Sequence, residues 1–514
     1  MYRKTMRRHP RCPEFFRCGT LPLLCLCALL LALSSGCAGR VPTESIRSNL
    51  AAGSLEPLEQ SLEETHKSYG EFVTALNLAR VYQVDGRWAD SIKAYNDALV
   101  LLEDYESRAV INVRTLLSGA GTVLFSRGAD EYYGVGYERS LLHTFNALNY
   151  LMLKDFTGAA VEMRRMDKRQ EIWLEESQAR IEKYLESKKY LESPEDLPPG
   201  YSMRDLLLDH DVRGLINNYQ DPFSFALAAV LYRLADDSQA ADVSMRRAIA
   251  LSDNANLLFT HCWPGKPPGK TTGKGSGKDK TDAATPPAVP RLPLSALPIA
   301  ENAAPASGKK EKTVDTQEVT VIAFSGLCPA LRVEGVRVFF PAIGQILVDL
   351  PSYAGPVFGS KPAVTARNGA ENREIELLPL LRTDVLAYRT LWDEVRMEVT
   401  FAVSRALARA GIAATTYAVA RSNEDTRDYA PLVATLASAL INMLADAMSE
   451  SIRNWETLPN TGYLAVTDVP RGSTVTVSVG GDKVSMDLPP EVRGVIVMAT
   501  ELSNSNVKVH YVTY

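Results

Sequence analysis

Residues 263–312 contain almost nothing that a fold can bury. The run PGKPPGKTTGKGSGKDKTDAATPPAVPRLP is mostly Gly, Pro, Lys and Thr. A segment so poor in apolar side chains cannot offset the entropy of ordering its backbone. It reads as a flexible linker over 263–316. Its lysines, Lys266, Lys270, Lys274, Lys278 and Lys280, suit a solvated spacer, with contact to anionic glycan or lipid as the alternative. The chain is thereby divided into a leader over 1–36, a first foldable stretch over 37–262 and a second over 317–514. Some fifty extended residues reach on the order of 150 Å, so the two stretches need not touch. The 514 residues have room for about three domains. An apolar share of 46% and a charged share of 23% are globular values.

The first 36 residues carry Arg3, Lys4, Arg7, Arg8, Arg11 and Arg17 against one acid, Glu14. Without them the net charge falls from −5 to −10. No basic footprint for phosphates is left, so nucleic acid is not an expected partner. The apolar run Leu21–Leu33 is too short to cross about 30 Å of hydrocarbon as a helix. A basic flank, a short apolar core and small residues before a boundary make a secretory signal. Leu33-Ser34-Ser35-Gly36-Cys37 resembles the bacterial lipobox, although Ser34 stands where that motif has Leu, Val or Ile. The resemblance implies lipidation of Cys37, whose acyl chains would hold the protein to a bilayer. Ala38 rather than Asp after the Cys resembles the sorting pattern for the outer membrane, with the body facing the periplasm. Once the leader and Cys37 are set aside, Cys262 and Cys328 remain, either as a bridged pair or as two separate thiols.

Residues 44–260 show apolar positions recurring at three and four, with few prolines, and predict helices. Three windows, 78–99, 147–166 and 228–251, share one pattern. A small residue (Ala79, Ala147, Ala229) precedes a tyrosine by three (Tyr82, Tyr150, Tyr232). A polar turn follows, then a second small residue (Ser91, Ala159, Ala241) and a bulky one (Tyr95, Met163, Met245). Small side chains let two helices approach, and bulky ones fill the groove between neighbours. The pattern resembles the 34-residue tetratricopeptide repeat. That resemblance implies an N-terminal all-α solenoid, with a degenerate helix pair over 108–127 and an insertion around 188–203.

The second stretch is mixed. Segments 318–326, 331–340, 343–351, 474–481, 494–500 and 506–514 have strand composition. Helices are expected over 385–410 and 431–454. Strands on both sides of a helical pair make a compact α+β domain, so the whole is an α+β multidomain chain.

Motifs for chemistry are sparse. GKTTGKGSGK lacks the phosphate-loop spacing and its flanking strand and helix. The histidines remaining after the leader, His66, His143, His210, His261 and His510, are not paired at ligand spacing, so neither metal nor cofactor is expected. No Gly-x-Ser-x-Gly elbow is present, and the chain is read as a non-enzyme. The most informative segment is 129–153, where Tyr132, Tyr133 and Tyr137 alternate with Gly134 and Gly136 before Glu138. These rings offer a stacking platform for a glycan, or the packing of an inter-repeat loop. Arg164, Arg165, Lys168 and Arg169 follow on successive turns of VEMRRMDKRQ, over 161–170, positioned for a salt bridge, including one to Glu138, or for an anionic partner.

The tyrosine–glycine segment, ALNYLMLKDF with VEMRR, FSGLCPALRVEGVRVFFPAIG, RNWETLP and VPRG together resemble a family of bacterial tetratricopeptide-containing envelope lipoproteins. The likeness spans about residues 69–472 apart from the linker. It implies a membrane-anchored scaffold that binds an envelope protein, connected with envelope or peptidoglycan assembly and without catalysis. Peptidoglycan binding through Tyr132, Tyr133 and Tyr137 is the alternative, and an envelope hydrolase with no sequence signature is the remaining one.

Overall fold

The computed structural model describes residues 43–112, 132–186, 197–252, 258, 262, 315–340, 344–422, 427–433, 435, 453–479, 482–503 and 506–514. The leader with Cys37, the linker through residue 314 and most of the expected 108–127 and 431–454 helices lie outside the described residues.

The first stretch is helical: α1 Thr43–Ala52, α2 Leu55–Tyr69, α3 Glu71–Val84, α4 Trp88–Asn112, α5 Gly136–Met152 and α6 Phe156–Glu186. Two short helices, α7 Arg204–Leu207 and α8 His210–Gly214, lead to α9 Pro222–Leu234 and α10 Ser238–Ala250. The pairs α3–α4, α5–α6 and α9–α10 pack as hairpins, and their turns are alike. Gly86, Lys154 and Asp236 occupy the same place with φ of 79°, 62° and 61°. The next N–H, of Arg87, Asp155 and Asp237, donates to the carbonyl of Tyr82, Tyr150 and Tyr232 at 2.8, 2.9 and 2.8 Å. A left-handed residue followed by this return bond satisfies carbonyls that a helix end leaves open. The small residues lie at the hairpin contacts, where Ala79, Ser91, Ala147, Ala159, Ala229 and Ala241 are all buried. In the first hairpin the Ser91 hydroxyl donates to the Ala79 carbonyl at 2.7 Å.

The second stretch contributes β1 Thr316–Ser325, β2 Leu331–Phe340, β3 Gly344–Tyr353, β4 Ala363–Asn368, β5 Glu371–Ile375 and β6 Leu378–Arg382. Then come α11 Thr383–Ser422, β7 Thr461–Pro470, β8 Thr474–Val479, β9 Asp482–Asp487, β10 Gly494–Ser503 and β11 Asn506–Thr513. A five-stranded sheet has the order β11-β10-β1-β7-β6, and a four-stranded sheet the order β5-β4-β8-β9. β1 runs parallel to β10, with Ile322 opposite Met498, and antiparallel to β7, with Ile322 opposite Leu464. The fold is α+β.

Side chains alternate across a strand, and both faces of the central sheet are covered. Val319, Val321 and Ala323 of β1 pack with Val364 of β4 and Val477 of β8, so the second sheet covers one face. Ile322 and Phe324, with Leu464 and Ile496, belong instead to a core shared with Leu76, Phe145 and Phe223 of the helices. The expectation that the two stretches need not touch is therefore corrected: the helical hairpins form the third layer on the sheet. The Phe324 ring lies 5.2 Å from Phe145 and 5.5 Å from Phe223. Arg233 of α9 also forks onto Glu318 of β1, with Nη2 at 2.8 Å from Oε1.

α11 has 40 residues, so at about 1.5 Å per residue it extends roughly 60 Å. Its first half packs with the β2–β3 hairpin and the short helices in a separate core containing Tyr201, Leu207, Val348, Leu350, Tyr388 and Val399. Among the described residues no helix is long and apolar enough to cross a membrane.

Candidate functional site

The tyrosine–glycine segment, RNWETLP and the Cys328 stretch meet at one buried junction. Glu138, on the first turn of α5, accepts from the Tyr132 hydroxyl and from the Trp455 N–H at 2.9 Å. The Trp455 ring is fully buried, with the Tyr95 ring at 5.9 Å and the Phe145 ring at 5.8 Å. The Thr457 N–H donates to Asn77 Oδ1 at 3.1 Å, and Arg47 Nη2 donates to the Cys328 carbonyl at 2.7 Å. Burial raises the pKa of Glu138, against the lowering effect of its bonds from Tyr132, Trp455 and Val135. The arrangement fastens the helices to the sheet stretch and is closed to ligands.

The stacking platform is corrected by this burial. Tyr133 and Tyr137 belong to the core, with Tyr133 stacked on Tyr105 at 4.1 Å. Only Tyr132 is half-buried. The Arg139 guanidinium lies 4.8 Å over Trp173, and its Nε donates to the Tyr133 carbonyl at 3.1 Å. A Cβ at Gly136 would meet Trp173 Nε1 at 2.4 Å, so glycine there admits the indole. The segment is a packed loop whose ring faces are covered. Arg164 reaches Asp237 at 2.8 Å and lies 5.3 Å over Tyr232, joining α6 to the next hairpin. Arg165 bonds Glu162 Oε1 at 2.7 Å. Neither bridges Glu138, the pairing that sequence reasoning had allowed.

Cys262 and Cys328 are separate buried thiols rather than a bridge. Burial pushes the Cys262 thiol up to about 12 and raises that of Cys328 as well.

The accessible site lies beside the junction, in a groove of about 700 Å³ between α4, α5 and α6. α4 contributes an apolar strip, Leu99 and Val100, flanked by Asn96, Glu103 and Glu106. α5 contributes His143 and Tyr150, and α6 contributes Arg165, Lys168, Arg169 and Ile172. Arg169 is held by Glu106 and, at 3.7 Å, by Glu103. His143 is almost wholly enclosed; its Nδ1 lies 2.8 Å from Glu162 Oε2 and its buried Nε2 has no partner among the described residues. Burial lowers the imidazole pKa, against the raising effect of Glu162, while Arg169 and Arg165 lower it further. The neutral ring is therefore the stable form near neutrality.

Among the described residues no Ser, Thr or Cys lines the groove, and no cluster of three or more His, Cys, Asp or Glu fits a metal ion. The groove presents mixed charge beside an apolar strip. Of its members, sequence reasoning had singled out Arg165, Lys168 and Arg169 as a basic run and Tyr150 as a repeat position, and His143 was weighed only as a metal ligand. The hairpin register carried the missing signal: His143 stands one turn before Ala147 and Glu162 one turn after Ala159, so the two face each other across the hairpin.

No family model, curated protein or solved structure matches the chain.

Proposed function

We propose that this chain is an envelope lipoprotein that binds a protein partner through tetratricopeptide-like hairpins and serves as a scaffold. In this reading Cys37 carries the lipid, the anchor is the outer membrane, and the body faces the periplasm in the service of envelope or peptidoglycan assembly. Anchoring raises the local concentration of whatever the body holds. One observation carries the binding role: the groove between α4 and the α5–α6 hairpin presents charged and apolar side chains together, with no hydroxyl or thiol nucleophile of Ser, Thr or Cys among its lining. The common turn geometry at Gly86, Lys154 and Asp236 supports a repeated hairpin unit, and stacked hairpins of this kind expose binding grooves. Catalysis has no place in the proposal, and neither does a glycan platform at Tyr133 and Tyr137.

Two measurements test it. Labelling cells with a palmitate analogue should mark the wild-type chain and leave Cys37→Ala unmarked; label on both removes the anchor. In-cell crosslinking should join the groove to a defined envelope protein, and Val100→Glu together with Lys168→Glu should reduce that product. An unchanged product would exclude the groove.

A further inference from the structure

We infer that the outward face of the β2–β3 ribbon is a membrane seat. Val333, Arg337, Phe339 and Leu347 lie at head-group level on the bilayer that holds the Cys37 lipid, an inference that rests on the lipoprotein reading above.

Alternation fixes the face. Val336 and Val348 stand opposite each other and are buried, with Leu350, in the core shared with α11. Their odd-numbered neighbours therefore point away from α11. Three of these are large and apolar yet exposed: Val333 at 41%, Phe339 at 67% and Leu347 at 60%. A Cβ at Gly335 would meet Leu347 Cδ1 at 3.2 Å, so the leucine leans across the glycine and lies flat on that face. Arg337, opposite Leu347, is exposed among them, whereas Asp349, the one carboxylate at these positions, is half-buried. Apolar side chains around an arginine suit the water–lipid boundary, where the stem meets hydrocarbon and the guanidinium meets phosphate. Among the described residues β2 and β3 pair only with each other, so their outer edges keep polar backbone that hydrocarbon does not accept. The ribbon is thereby held at head-group level, and only its side chains dip inward.

The position of the anchor selects the bilayer as what covers this face. Arg47 of α1 donates to the Cys328 carbonyl at 2.7 Å, and Cys328 stands three residues before β2. α1 begins at Thr43, one helical turn before Arg47. Cys37 precedes Thr43 by six residues, at most about 21 Å of chain. The lipid therefore enters its bilayer beside the base of the ribbon. Phe339, opposite Gln345 near the other end, lies roughly 25 Å further along the strand. With the anchor at one end and exposed apolar side chains along the face, the ribbon can lie flat on the surface. A second copy or another protein would also cover these side chains, but neither accounts for an anchor at the ribbon's own base.

The test uses the processed, lipidated protein in vesicles of phosphatidylethanolamine and phosphatidylglycerol. Cys262 and Cys328 are buried and Cys37 carries the lipid, so a cysteine introduced at the surface takes an environment-sensitive fluorophore selectively. Probes at Phe339→Cys and Leu347→Cys should shift to the blue and lose emission to doxyl-labelled lipid. A probe at Leu153→Cys, exposed just beyond α5 at the end away from the Trp455 junction, should do neither. Arg337→Gln should lower the ratio of seated to free ribbon by about fivefold, and added salt should act in the same direction. If the ribbon probes stay in water on the lipidated protein, the inference falls and the anchor stands. If they are shielded in proportion to protein density but insensitive to doxyl lipid, a second copy covers the face and the inference falls. Equal quenching at all three positions also overturns it, since the molecule would then meet lipid with no preferred face. A wild-type chain that takes no palmitate label removes the anchor and this inference together.

Discussion

The Trp455 backbone N–H donates to Glu138 Oε1 at 2.9 Å, across 317 positions of sequence. The other oxygen of the same carboxylate receives the Tyr132 hydroxyl and, at 3.3 Å, the Val135 N–H. One buried acid thus holds a loop, a helix start and a segment from the far end of the chain. The tyrosine–glycine segment and RNWETLP are therefore parts of one structural clasp.

Glu138→Ala leaves three donors facing a void. An abandoned buried donor costs about 1–3 kcal/mol, so urea unfolding should register a loss of about 3 kcal/mol or more. Glu138→Gln keeps an acceptor and should lose less. Equal losses for the two variants would show that the hydrogen bonds matter little beside side-chain packing.

Gly326 has φ of +69°, and a Cβ there would meet the Val357 carbonyl oxygen at 2.1 Å. That carbonyl is also the acceptor for the Leu327 N–H at 2.8 Å. Gly326→Ala combines backbone strain with a clash and should cost more than about 2 kcal/mol. Gly472, at φ of +71° but with open space around its Cβ position, is the control: alanine there should cost about 1 kcal/mol. Similar losses at both sites would remove the steric argument.

Asp221 caps α9, accepting from the Ser224 N–H at 2.7 Å and the Ser224 hydroxyl at 2.8 Å. Burial pushes its carboxyl up to about 6, against the lowering effect of those bonds. The folded state therefore binds a proton more readily than the unfolded chain, whose Asp titrates near 3.9. Its contribution to stability is present below about pH 4 and is lost as pH rises through about 6, by on the order of 2 kcal/mol. Asp221→Asn should abolish that slope while keeping the cap. Unfolding midpoints of both proteins between pH 4 and 7 provide the check; parallel curves would mean that Asp221 contributes no such slope.

Arg80 is buried between two rings, 4.9 Å from Phe145 and 5.1 Å from Phe324. Nη1 donates to Gln83 at 2.7 Å, and no carboxylate pairs with it among the described residues. Burial lowers its pKa to about 10. Desolvation of a cation without a counter-ion offsets much of what the rings supply. Arg80→Met should leave stability within about 1 kcal/mol or raise it. A loss above about 2 kcal/mol in chemical denaturation would assign the larger share to the stacked guanidinium.

Periodic features were legible in the sequence, and long-range closures were not. Ala79 with Ser91 and Ala147 with Ala159 revealed the hairpins because small residues at helix contacts recur locally. The strands at 331–340 and 506–514 were visible through their alternation. By contrast β4, β5 and β9 are short and mostly polar on one face, so no apolar run announces them. Shared burial between Phe324 and Phe145 has no local signature, since each is an ordinary core residue of its own element. For that reason the helical and sheet stretches looked independent. The tyrosines misled because an aromatic, glycine-spaced loop has the same composition whether its rings face solvent or the core. His143 was missed because its partner lies on the neighbouring helix.

The parallel pairing of β1 with β10 sets the order in which this molecule can be completed. β1 lies between β7 and β10, so its place in the sheet is complete only when two strands made much later stand on either side, and until then the apolar underside of the helical hairpins lacks part of its roof. The sheet closes only once nearly the entire polypeptide is present, so an incomplete chain would leave greasy surface uncovered. Cutting away β10 and β11 should therefore leave the hairpins sticky rather than independently folded.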